Sequence, residues 1–171
     1  MNIDNSFFYQ HYKSIETNGL IIKSSNSKGV MIKGYDEYDK NHYLFNSINM
    51  GALIQNPKSE ILIGDSLANE MNLSVGDKVK IAIPKTDKTI LGNIPRFKTL
   101  EVVGVFDLGL YEYDSNLIFL SSELVRKLLL YDEDIYNKIA FFTSSPNEIE
   151  LFKNKVELET SNLLLNFYSI S

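Results

Sequence analysis

The chain has 171 residues, of which 17 are basic and 22 acidic, for a formal net charge of −5, with 44% hydrophobic and 23% charged residues. That is one globular domain or two small subdomains sharing a core, and it excludes a disordered chain. The acidic balance excludes a general nucleic-acid binder, which needs a basic excess against phosphate, and the lack of cysteine excludes disulfides, thiolate-held zinc, iron–sulfur clusters and cysteine nucleophiles.

The N-terminal third alternates in polarity. Phe7 to Ile15, Leu20 to Lys23 and Gly29 to Lys33 read as short strands, with turns predicted at Asn18-Gly19 and at Ser24 to Lys28. Tyr35 to Tyr43 is polar, acidic and tyrosine-rich, and reads as a connecting loop. Ile61-Leu62-Ile63 is a buried-strand signal closed by Gly64. A short helix is predicted over Ser66 to Met71, capped by Asp65, with Leu67, Ala68 and Met71 on one face. Leu73 to Asp77 reads as a turn, and Lys78 to Ile83 as an alternating strand ended by Pro84.

Lys85 to Lys98 reads as a loop containing Gly92 and Pro95, followed by strands at Thr99 to Phe106 and Leu117 to Leu120. Ser121 to Leu130 is a predicted helix. Ser121 caps it, Glu123 sits in its first turn, and Leu124, Val125, Leu128 and Leu129 form its buried face. Lys138 to Thr143 is a strand. Ser145-Pro-Asn-Glu148 combines a capping box with proline at the first helical position, so a helix to about Glu159 is expected. Leu163 to Ile170 is a last strand. Many strands with three helices give an α+β class. No apolar run exceeds four residues, against the roughly 20 of a membrane-spanning helix. No signal peptide opens the chain, and its ending just after an apolar strand reads as a piece of a longer protein. A cysteine-free chain suits both periplasm and cytosol.

Signals for chemistry are sparse. His11 and His42 have no metal-ligand spacing, and no nucleophile elbow, Walker loop or GxGxxG is present. Asp36-Glu37-Tyr38-Asp39 and Asp132-Glu133-Asp134 lack the alternating ligand pattern of a calcium loop and read as solvated. Glu112 and Asp114, on one face of an extended segment, read as structural hydrogen-bonding groups. No catalytic residue, metal or cofactor is assigned.

The loop Pro84 to Pro95, PKTDKTILGNIP, is the informative feature. Two prolines stiffen its ends, Gly92 permits a reversal, and Ile90, Leu91 and Ile94 are apolar. A stiff loop with an apolar tip loses little entropy on docking to a protein. A loop folded back on its own domain has the same composition.

Gly29-Val-Met-Ile-Lys-Gly34, Ile61 through Ile81, the Pro84–Pro95 loop, Val103 through Asp114 and the closing Phe167-Tyr-Ser-Ile together resemble the lipoprotein-releasing ABC permeases of the LolC/LolE family, over nearly the whole chain. The resemblance implies the large periplasmic domain of an inner-membrane protein, with the two-lobed MacB-like fold. An α/β "Porter" lobe would combine residues 1–35 and 137–171, and a mostly β "Sabre" lobe would hold 36–136. It implies no chemistry in the domain itself. Cytoplasmic ATPase subunits would hydrolyse ATP, a second permease subunit would complete the transporter, and lipoprotein would pass to a soluble LolA-type carrier.

In LolC-type subunits a projecting hook and a basic pad recruit that carrier. The resemblance places the hook at Pro84, Ile90, Leu91, Gly92, Asn93, Ile94 and Pro95, and the pad at Lys80, Phe97 and Lys98. Lys80 and Lys98 stand where the pad has arginines, Phe97 where it has an amide, and Asn93 where the hook has an arginine. Lysine keeps the charge and loses the bidentate fork. Two other readings compete. One is a MacB-like mechanotransmission domain for another substrate. The other is a double-psi β-barrel cofactor domain, which Leu67 to Ile81 resembles locally.

Overall fold

The structure, a computed structural model, describes residues 10–35, 43–84, 96–133 and 135–142. The chain divides into two units, residues 1–12 with 139–171 and residues 13–138. In the first, the described part is the opening of β1 (Gln10–Lys23) and nearly all of β8 (Lys138–Phe142). The helix expected from Ser145 and the strand expected from Leu163 lie outside the described residues.

The second unit holds the rest of β1, then β2 (Asn26–Tyr35), α1 (Tyr43–Asn46), β3 (Ile48–Gly51), β4 (Glu60–Gly64), α2 (Asp65–Met71), β5 (Lys78–Ile83), β6 (Arg96–Phe106), α3 (Tyr111–Asn116), β7 (Leu117–Ser121) and α4 (Ser122–Leu129). Mostly strand with short helices, it has the expected α+β character. Six strands form a closed ring in the order β1, β2, β7, β4, β6, β5 and back to β1. The pairs β2–β7 and β4–β6 are parallel and the others antiparallel. Residues 13–35 pair here because β1 and β2 are the two strands that close the ring. Closure leaves these six strands no free edge.

Alternation sends one side chain in two to the interior. Ile21, Ile32, Ile61, Ile63, Ile81 and Ile118 are fully buried there, joined by Leu67, Ala68 and Met71 of α2 and by Leu124 and Val125 of α4. The buried faces predicted for both helices are therefore the observed ones. Ser121 also caps α4 as predicted, accepting from the Leu124 N–H at 3.1 Å.

Three local predictions are corrected. Asn18-Gly19 is no turn, because β1 runs unbroken to Lys23 and reverses at Ser24-Ser25. Gly19 answers crowding instead: a Cβ there would lie 2.6 Å from Ile32 Cδ1 and 2.7 Å from the Ala82 carbonyl oxygen. Asp65 does not cap α2. Gly64 holds the cap position, and Asp65 opens the helix, accepting from the Asn69 side-chain amide at 3.1 Å. Glu112 and Asp114 are not in an extended segment, since Tyr111–Asn116 is helical. The hydrogen-bonding role expected of them falls to Asp114, whose buried carboxylate accepts from the backbone N–H groups of Leu108 at 2.9 Å and Leu110 at 3.1 Å. Burial raises its pKa, with the neighbouring Asp107 charge adding to the effect and the two N–H donors opposing it.

Asp77 shows the opposite sign. It accepts from Lys23 Nζ at 2.8 Å and from the Ser74 N–H at 2.9 Å, and the Lys23 hydrogen bond is the main cause of its lowered pKa. A lowered carboxylate pKa contributes stability above the ordinary carboxylate range, lost as pH falls through the folded-state value. Asp77→Asn is therefore expected to lower the urea midpoint at neutral pH and to match the wild type at about pH 2. A gap of constant size across that range would refute the linkage.

Candidate protein-docking site

β5 and β6 are antiparallel, and their last pair before the intervening residues is Ile83 with Arg96. Of the expected hook, Pro84 is described and exposed. Ile90, Leu91, Gly92, Asn93, Ile94 and Pro95 lie outside the described residues.

The three expected pad residues are all placed on the two strands, on different faces. Val79, Ile81 and Ile83 turn into the barrel, so Lys80 and Ala82 turn outward. Paired residues of antiparallel strands share a face. Phe97 pairs with Ala82 and is therefore outward, while Lys98 pairs with Ile81 and shares the inner side. The structure thus brings Lys80 and Phe97 together, with Lys80 Nζ 5.7 Å from the Phe97 ring centroid. That distance permits a cation–π attraction. Lys98 stands apart on the side of Arg96, whose guanidinium donates to the Lys127 carbonyl oxygen at 3.4 Å near the end of α4.

β1 also reaches this end, because Leu20 pairs with Ala82. No local pattern in the sequence ties Leu20 to residues more than sixty positions later; only the ring closure does so.

Among the described residues, no cluster of three or more His, Asp or Glu is placed to hold a metal ion. No helix among them is long and apolar enough to cross a membrane. The side chain of His11, and all of His42, Asp36-Glu37-Tyr38-Asp39 and Asp134, lie outside the described residues, while Asp132 and Glu133 are exposed.

No family model matches the chain. It is 28% identical over 122 residues to the lipoprotein-releasing system transmembrane protein LolC of Xylella fastidiosa, covering 69% of this chain and 29% of that protein. It is 33% identical over 76 residues to LolC of Neisseria meningitidis serogroup B, covering 44% of this chain and 18% of that one. The chain thus spans less than a third of either relative. Among solved structures, it is similar to the extracellular domain of the noncanonic ABC-type transporter YknZ from Gram-positive bacteria, with TM-score 0.58 and 13% identity, covering 93% of this chain and 78% of that one. It is similar also to the periplasmic region of MacB from Actinobacillus actinomycetemcomitans, with TM-score 0.57 and 14% identity, covering 92% and 69%. The fold is therefore that of MacB-like domains of ABC-type transporters, and the sequence similarity is to LolC.

Proposed function

We propose that this chain is the periplasmic domain of an inner-membrane ABC permease that releases lipoproteins, and that it recruits a soluble LolA-type carrier through the loop at residues 84–95. The similarity to LolC over 69% of the chain carries this reading, and the MacB-like fold agrees with it. The named relatives are transmembrane proteins of lipoprotein-releasing systems. ATP hydrolysis is accordingly assigned to separate cytoplasmic subunits, with a second permease subunit completing the assembly. In this reading residues 1–35 with 137–171 make up the Porter-like part and residues 36–136 the Sabre-like part, while the compact units divide at residues 12/13 and 138/139.

The domain acts by binding. An apolar loop tip buried on the carrier contributes roughly 1.5–3 kcal/mol for each large side chain. Association itself costs several kcal/mol. Lys80 and the cations Lys85 and Lys88 of the loop add attraction to carboxylates on the carrier, which acts mainly on the rate of encounter. Calorimetric titration of the chain with purified carrier from the same bacterium is expected to show saturable one-to-one binding of modest affinity. No heat at concentrations approaching about 1 mM overturns the reading and favours a MacB-like permease for another substrate.

A further inference from the structure

The chain passes between the two compact units twice, from Tyr12 to Lys13 and from Lys138 to Ile139. Both crossings fall within strands, the first in β1 and the second in β8. Just before the second crossing, the larger unit fastens the departing chain to itself at two neighbouring residues.

The first fastening is the amide of Asn137. The Glu16 N–H donates to Asn137 Oδ1 at 2.7 Å, and Asn137 Nδ2 donates back to the Glu16 carbonyl oxygen at 2.7 Å. These are the two bonds that a strand residue exchanges with a hydrogen-bonded partner on an antiparallel neighbour. Glu16 also pairs with Lys33 of β2, and their charged groups meet at 3.0 Å. Its backbone groups go to Asn137 instead, on the other edge of β1. β5 covers that edge only from Leu20 to Ile22. Further back along the strand a side chain takes over, one residue before β8 begins. Asparagine suits the position because its side chain carries a donor and an acceptor in one plane, as a peptide group does.

The second fastening is the half-buried ring of Tyr136. Arg126 Cζ of α4 lies 5.2 Å from its centroid, and Lys13 Nζ of β1 lies 5.6 Å away. Both distances permit a cation–π attraction. Lys13 is the residue at which the chain enters the larger unit. One ring therefore links the entering strand, α4 and the departing segment.

We infer that Tyr136 and Asn137 form a clasp that holds the entering and departing chain together as one piece of the larger unit, so that bending between the two units is confined to the crossings themselves. The inference goes beyond carrier docking and does not depend on it. A displacement applied to the smaller unit then reaches the barrel as movement of the whole, without fraying β1 from its neighbours.

The test is amide hydrogen exchange, read residue by residue on the full chain, in Asn137→Ala and Tyr136→Leu. Asn137 is exposed, so its truncation leaves no core void. Leucine keeps apolar bulk at 136 and removes the ring face that attracts the cations. In each variant the amides of Glu16 and of Lys138–Phe142 are expected to exchange at least about tenfold faster, while those of Ile21, Ile63 and Val105 stay within about twofold of wild type. Wild-type rates at Glu16 and β8 in either variant overturn the inference. Faster exchange at Glu16 alone reduces the amide pair to a local hydrogen bond and overturns it too. An equal rise at Ile21, Ile63 and Val105 means that the two residues stabilise the barrel as a whole, which leaves no clasp at the crossing. If the β8 amides of the wild type exchange as fast as those of an unfolded chain, the clasp holds nothing and the inference fails.

Discussion

Deleting residues 88–93 is expected to abolish carrier binding while leaving the melting temperature within about 2 °C of wild type. The deletion removes Ile90 and Leu91, the two adjacent aliphatic residues between the loop prolines. Losing the burial of both costs roughly 3–6 kcal/mol. Each 1.4 kcal/mol is tenfold in affinity, so a modest binder drops by two to four orders of magnitude, below detection. Stability responds differently. The ladder between β5 and β6 closes at Ile83 with Arg96, before the deleted residues begin. Halving the connection between those two residues lowers its closure entropy by only about 0.6 kcal/mol, in the stabilising direction. Unfolding of the deletion variant, or undiminished carrier binding, would show the loop to be structural.

Phe119→Ala is expected to have the largest effect on stability, a loss of about 3–5 kcal/mol. For a chain of this length that corresponds to about 6–20 °C in melting temperature. Phe119 points out of the barrel, yet it is fully buried. It pairs with Leu62 across β4–β7, and its ring centroid lies 4.9 Å from that of Phe106 at a tilt of 57°. The chain between α1 and β4 packs close to this outer patch. Leu44 and Ile54 are buried, the Ala52 N–H donates to the Val103 carbonyl oxygen at 2.9 Å, and the Ser121 hydroxyl donates to the Pro57 carbonyl oxygen at 2.6 Å. Truncation would leave a void between two layers that are each hydrogen-bonded in place and so relax little. Urea unfolding at neutral pH measures the loss. A value under about 1 kcal/mol would mean that the patch collapses around the void.

Legibility varied with the range of the interaction. The strand Lys78–Ile83 and the cap of α4 at Ser121 rest on neighbours within a few residues, and both are found where local pattern puts them. α3 was missed because its six residues, YEYDSN, carry no apolar period. Its distinctive group is Asp114, which holds the N–H groups of Leu108 and Leu110 just before the helix, an arrangement that propensity does not announce. β3 was missed for a related reason. It has four residues, none of them fully buried, and exists by pairing with the end of β6. At the candidate site, Lys80 and Phe97 were legible as residues, but their shared face was not. The family resemblance groups Lys98 with them, and its strand partner Ile81 puts it on the other side.

Composition and local pattern were enough for the α+β class, the apolar faces of α2 and α4, and the absence of thiol chemistry. Each follows from composition or from a period of two or 3.6, which local physics reads directly. Tertiary structure decided the rest. It closed the ring by pairing β1 with both β2 and β5, so that Leu20 meets Ala82. It also shifted the phase of β6. The pairing with β4 passes from Val102 to Gly104, leaving Val103 without a partner, so Val102 and Val105 both reach the core although strict alternation would separate them. A one-residue bulge costs little locally, and its position is chosen by the layers on either side. Its partner on one side, β4, comes from about forty residues earlier in the chain, and on the other side Val102 exchanges hydrogen bonds with Gly76 and Asp77, both beyond the reach of any local pattern.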